Sequence, residues 1–186
     1  MGESSFAAGC GANANSTGSF VWAGYTLVAE CSGGSDTGPG QFIAIAPGGV
    51  WFYTAGDESS GVTLPSGSGS WSNLSDRKAK KNFLAIDASS LLEKLAAMPV
   101  ATWNYKTQAD SIRHLGPTAQ DFHAGFGLGE DNQHISTVDA EGVALAGIQA
   151  LYQTVTELKR SLEEKDQELE TLRTRLARLE QASGKR

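Results

Sequence analysis

No lysine or arginine occurs before Arg77, so all 15 basic residues of this 186-residue chain lie beyond that point. Six of the 21 acids fall at or before Asp76, which leaves the first part mildly acidic and the second electrically balanced. Only two cysteines are present, Cys10 and Cys31, with no CxxC and no Cys/His ligand spacing. That pattern argues against a metal site and leaves a disulfide undecided; the two read as small packed residues. No cofactor is expected either. Nothing approaches the roughly 18 apolar residues of a membrane span, and Met1-Gly2-Glu3 does not begin a signal peptide. Export would then follow lysis or assembly into a particle. A net charge of −6, with its one basic cluster confined to 77–81, argues against a nucleic-acid partner.

Glycine is abundant instead, with 15 of 22 before Ser72. Large apolar side chains are scarce there, so the first part cannot build a sizeable core alone. Ser5-Phe6-Ala7-Ala8-Gly9 recurs as Ser19-Phe20-Val21-Trp22-Ala23-Gly24, its phenylalanines 14 residues apart, enough for a short strand, a turn and the return. Such a unit needs stacked neighbours to cover its apolar face. The two copies resemble the repeats of trimeric β-roll heads in bacterial adhesins and phage fibres; a small independent β-domain is the alternative. Runs 41–46 and 50–54 flank Pro47-Gly48-Gly49 and read as a hairpin. Residues 59–72, rich in Gly, Ser and Pro, read as a linker.

The far end is organised differently. Ile148, Val155, Leu162, Leu169 and Leu176 recur at heptad position a, and Leu151, Leu158, Leu172 and Leu179 at d. Lys165 alone interrupts the d series. A repeat of about 3.5 residues sustained over this length specifies a left-handed coiled coil. In a parallel pair a g residue faces the e residue five positions later on its neighbour, which sets Glu168 against Arg173 and Arg175 against Glu180. Both pairs are opposite in sign, so parallel, in-register strands are expected. A lone strand would leave its seam in water, and leucine at both seam positions permits three strands. Lys165 reads as a register device or as an anion site on the axis.

Between these ends, Ser89 or Ser90 can cap a helix over 91–98 that Pro99 terminates. Residues 100–105 and 112–115 read as strands, 117–122 as one helical turn and 139–142 as a turn into the coil. The loop 125–129 lacks the strand-loop-helix context of a nucleotide site. In order, the segments Leu74-Ser75-Asp76-Arg77-Lys78-Ala79-Lys80-Lys81-Asn82, Leu95-x-x-Met98-Pro99-Val100-x-x-Trp103-Asn104-Tyr105-Lys106, His114-Leu115-Gly116-Pro117-Thr118-Ala119-Gln120-Asp121 and Val138-Asp139-x-x-Gly142-x-Ala144-Leu145-x-x-Ile148-Gln149-x-Leu151 resemble a known domain. It is the self-cleaving intramolecular chaperone at the C-terminus of phage tail spikes, tail fibres and endosialidases, found also in myelin regulatory factor. The resemblance covers about 73–165. It departs at Pro117, usually aliphatic in the family, and in the glycine-rich loop after Phe122.

The resemblance implies an α+β, intertwined homotrimer: a β-rich head over 1–58, a linker over 59–72, a chaperone domain over 73–147 and a parallel trimeric coiled coil over 148–182. It implies a virion tail fibre or spike, or a prophage product that is cytoplasmic during assembly, with a host receptor or glycan as the parent fibre's partner. The implied cut falls between Leu74 and Ser75, with Ser75 as nucleophile and Lys80 as base, acting in cis or in trans. A lysine can act so only when neutral. With an ordinary pKa of about 10.4, fewer than about one per cent are neutral at pH 7, and a depression of about three units costs around 4 kcal/mol. Crowded positive charge and burial in an assembled interface both work in that direction.

Residues five apart on one α-helix point about 140° apart, so Ser75 and Lys80 cannot meet within a regular helix. The competing reading makes Ser75 a helix N-cap with Asp76 in the first turn, and the domain a non-cleaving clamp on a receptor-binding fibre. His114 either orients the scissile group or is structural. His123, His134, Gln120 and Asp121 read as loop or structural residues.

Overall fold

In the computed structural model, which describes residues 1–25, 31 and 33–183, the chain divides into two compact units, Met1–Phe83 and Leu84–Arg186. The fold is mixed α+β, with three α-helices, the last very long, and several small sheets.

In the first unit the near-repeat stacks its copies in parallel. Strand β1 (Phe6–Gly9) pairs with β3 (Phe20–Ala23), and β3 with β5 (Phe42–Ile45), so that Phe6, Phe20 and Phe42 share one register. Their rings stack at 4.9 and 5.0 Å. A second parallel pair, β2 (Ala12–Asn13) with β4 (Gly34–Ser35), completes each coil of a small roll. The repeat therefore has a third copy that sequence reading assigned to a hairpin. Ala14, Val21 and Ala23 form the buried interior, and their small size is what lets successive coils approach. Gly9, at φ 94°, marks the closest approach: a Cβ there would strike the Ala23 carbonyl oxygen.

Two ties hold one coil to the next. The Asp36 carboxylate, in a residue only 9 % exposed, accepts the Asn15 N–H at 2.8 Å and the Ser16 N–H at 2.6 Å. Those bonds, Asn15 first, hold its pKa down at about 2. Cys10 and Cys31 form a disulfide with Cα atoms 5.4 Å apart, which corrects their reading as separate packed residues. Parallel stacking is the reason: it brings residues 21 positions apart onto adjacent coils.

The hairpin around Pro47-Gly48-Gly49 is likewise corrected. β5 remains with β3, while β6 (Gly49–Tyr53) pairs antiparallel with β7 (Gly61–Pro65) and β7 with β8 (Ser72–Asn73). The glycine-rich stretch is a passage from one sheet to another, turned by the Gly49 N–H donating to the Ala46 carbonyl at 2.9 Å. Within the stretch read as a linker, Val62, Thr63 and Leu64 have the β-branched and apolar character of a strand and fill the middle of this sheet.

In the second unit, α1 (Ala88–Ala97) is capped by Asp87, whose side chain accepts the Ser89 N–H at 3.1 Å. The helix thus begins earlier than a Ser89 or Ser90 cap implies. β9 (Ala101–Trp103) pairs antiparallel with β10 (His114–Gly116). α2 (Ala119–Phe126) runs through Gly125 to a left-handed cap at Gly127, longer than the single turn expected. α3 (Thr137–Ser183) is one 47-residue helix that takes in 139–142, the segment read as a turn. Packing explains the extension. Val143 and Ala146 lie in a cluster with Leu91, Phe122, Leu95, Met98, Phe126 and Ile135, and this contact outweighs the ~1 kcal/mol cost of a helical glycine at Gly142. Gly147 lets α1 come close, since a Cβ there would reach Leu95 at 2.7 Å.

Beyond Ala150 no described residue of α3 is buried. All nine seam aliphatics stand in solvent, from 46 % exposed at Val155 to 68 % at Leu179. Lys165 donates to Glu168 at 2.8 Å and Arg173 approaches Glu170 at 3.7 Å, so within one chain Glu168 and Arg173, one of the two pairs expected between helices, each have a local partner.

Candidate active site

The junction begins where β8 ends. Asn73 lies opposite Val62 in the sheet, and the Leu74 N–H still donates to the Gly61 carbonyl at 3.1 Å. The backbone is therefore pinned through the residue that precedes the proposed cut. Asp76, extended at φ −62° and ψ 134°, then caps one turn of 3-10 helix, Arg77–Ala79, its side chain accepting the Lys78 N–H at 2.9 Å. The Ala79 N–H donates to the Asp76 carbonyl at 3.1 Å and the Lys80 N–H to the Arg77 carbonyl at 3.3 Å. Lys80 leaves the turn extended, at φ −115° and ψ 152°.

This short turn does what a regular α-helix cannot. With Ser75 and Lys80 both outside it, their side chains converge, and Lys80 Nζ donates to Ser75 Oγ at 2.6 Å. Both belong to one chain, so the contact needs no second subunit. The capping residue is Asp76, which corrects the reading of Ser75 as the N-cap. The Arg77 guanidinium lies 5.1 Å from the centre of the Phe83 ring. Every residue from 65 to 87 is exposed, so within a single chain the Ser75–Lys80 pair stands in water.

His114 belongs to the second unit. Its Nε2 lies 3.0 Å from Gln108 Oε1, and its ring packs 4.8 Å from Trp103 and 5.7 Å from Tyr105. These contacts fit a histidine that fastens the β9–β10 pair. His123 Nδ1 lies 2.9 Å from the Leu128 carbonyl, and His134 Nδ1 2.9 Å from Asp131 Oδ2. The Asp131 pKa is held at about 2, chiefly by the Gln133 N–H and then by His134. Thr118 donates to Asp121 at 2.6 Å, and the Asp121 N–H returns to Thr118 Oγ1 at 3.2 Å, a closed cap at the start of α2. Gln120 takes no part in that cap.

Among the described residues no group of three His, Cys, Asp or Glu side chains could hold a metal ion, and no helix is long and apolar enough to cross a membrane. Sequence reasoning missed two parts of the site: Asp76 as the cap that folds the turn, and Gly61 as the anchor of Leu74. The first carried a signal, an Asx residue two positions before the amide it binds.

Residues 75–126 match the family model described as chaperone of endosialidase. The match begins at Ser75 and supports an intramolecular chaperone role for this part of the chain. The glycine-rich head lies outside it, and the likeness to adhesin repeats is not confirmed. No curated protein and no solved structure matches the chain.

Proposed function

From the match over 75–126 we propose that three copies of this chain assemble through α3, register the β-rich segment that precedes the junction, and then cut themselves between Leu74 and Ser75. The setting would be a phage-type tail fibre or spike, whose parent fibre meets the host surface. The observation that carries the reading is the 2.6 Å contact between Lys80 Nζ and Ser75 Oγ beside a peptide bond whose N-terminal side is anchored to a strand.

Neutral Lys80 accepts the Ser75 hydroxyl proton while Oγ attacks the Leu74 carbonyl carbon. The carbon–nitrogen bond breaks, and the nitrogen of Ser75 takes a proton back from the lysine, leaving Leu74 esterified to Oγ. Water then hydrolyses the ester to a Leu74 carboxylate and a hydroxyl on the new N-terminal Ser75. Each chain performs this once, because nucleophile and substrate are one molecule.

Exposure of the pair in a single chain supports coupling to assembly. Burial of a lysine in an interface favours its neutral form. Mass spectrometry of freshly expressed protein checks the reading: fragments 1–74 and 75–186 are expected, and both Ser75→Ala and Lys80→Ala leave one intact species. An intact wild-type chain under assembly conditions overturns the cleavage and leaves a permanent trimerisation clamp.

A further inference from the structure

The sheet β6–β7–β8 has no buried residue. Every buried residue among those described in the first unit lies in the roll. The sheet's large apolar side chains are left partly or fully exposed within the chain, so a partner that covers them would add their burial to the stability of the sheet.

Its two faces differ. Cross-strand register puts Val50 opposite Leu64 and Phe52 opposite Val62, and directly opposed residues point to the same side. Trp71 joins this side through its ring contact with Phe52 at 5.7 Å. Phe52 is 55 % exposed and Trp71 51 %. The other side carries Trp51 and Tyr53 opposite Thr63 and Gly61. There the rings already cover glycines of their own sheet: Trp51 comes within 3.1 Å of the Cβ position of Gly49, and Tyr53 within 3.0 Å of that of Gly61. The rings of one face lie over glycines of their own sheet, though Trp51 is 52 % and Tyr53 44 % exposed, whereas Phe52 and Trp71 on the other lie against one another.

We infer that the face formed by Val50, Phe52, Val62, Leu64 and Trp71 packs against the same face of other copies of this chain, and that this contact, through β8, closes over the junction. Two observations select a second copy as the occupant. The three strands carry no charged residue, so like faces meet without like-charge repulsion. The same chain also carries the uncovered α3 seam, and association there supplies copies of the sheet at high effective concentration through a covalent tether. The inference rests on the proposed self-association and adds to it the surface that removes water from Ser75 and Lys80, two residues beyond β8 at the nearer end.

Cysteine cross-linking in the full chain with Ser75→Ala tests this, because native Cys10 and Cys31 are already joined. Val62→Cys reports on the apolar face, Thr63→Cys on the opposite face and Leu172→Cys on the seam. With a short bis-maleimide, which joins one thiol to one other, covalent dimers are expected from Val62→Cys and Leu172→Cys, several-fold above Thr63→Cys. Cross-linking at Leu172→Cys with Val62→Cys no better than Thr63→Cys overturns the sheet interface and leaves the coil standing. Failure at both Leu172→Cys and Val62→Cys overturns the self-association reading and this inference with it.

Discussion

The roll of the first unit and the free portion of α3 solve the same problem in opposite ways. The roll has small side chains and few apolar groups, yet it closes on itself. Its interior is Ala14, Val21 and Ala23, its coils are joined by the Asp36 carboxylate and by the Cys10–Cys31 disulfide, and Phe20 stacks between Phe6 and Phe42. The free part of α3 has a seam of nine large aliphatics and buries none of them within the chain. One region is stabilised by what it touches inside the molecule. The other leaves its seam in water within the single chain, and on the proposed reading identical helices cover it when the chains assemble.

The largest effect expected from this contrast follows charge placed in the seam. Leu162→Asp or Leu172→Asp should cost about 3 to 5 kcal/mol per chain on association. At about 1.4 kcal/mol per tenfold this shifts the midpoint by a hundredfold or more, read by sedimentation, and cleavage should fall with it. The roll should keep its own thermal transition. Loss of that transition in the same variants would mean that the two regions do not stabilise themselves separately.

A smaller effect, on the other side of the comparison, follows opening of the disulfide. Cys10→Ser with Cys31→Ser should lower the stability of the roll by about 2 to 4 kcal/mol and leave sedimentation of the assembly unchanged. Calorimetry of the two forms checks this.

The smallest effect comes from acid. Asp36 has its pKa lowered from 3.8 to about 2 by the Asn15 and Ser16 amides, so the unfolded chain takes up its proton first as pH falls. Its contribution is fully present above about pH 4 and is lost as pH drops toward about 2. Asp36→Asn should weaken the roll at neutral pH and flatten part of that acid slope in a pH series of thermal midpoints. An unchanged slope would assign the acid sensitivity to other carboxylates, such as Asp131 in the second unit.

What could be read from sequence follows the range of the interactions. The α3 helix was legible because a heptad is local and nine aliphatics repeat it without a gap except at Lys165. Counting 100° per residue excluded a meeting of Ser75 and Lys80 on a regular helix, while their pairing was implied by the family resemblance and Asp76 as the cap that folds the turn was missed. Stacking of the roll was not legible. Phe20 and Phe42 are farther apart than Phe6 and Phe20, and that extra length hid the third copy and, with it, the disulfide. Pro47-Gly48-Gly49 has hairpin composition, but β5 was already committed to β3, a partner no local pattern reveals. The glycines at 125 and 142 suggested loops, and helices run through both because Phe122, Phe126, Val143 and Ala146 pack there against α1.

If assembly precedes cutting, a dilution series of refolding precursor will show it, with sedimentation giving the assembled fraction and mass spectrometry the yield of 1–74 and 75–186. The cleavage rate should follow the assembled fraction and vanish where the chain is monomeric. The same first-order rate at every concentration, monomers included, would contradict it.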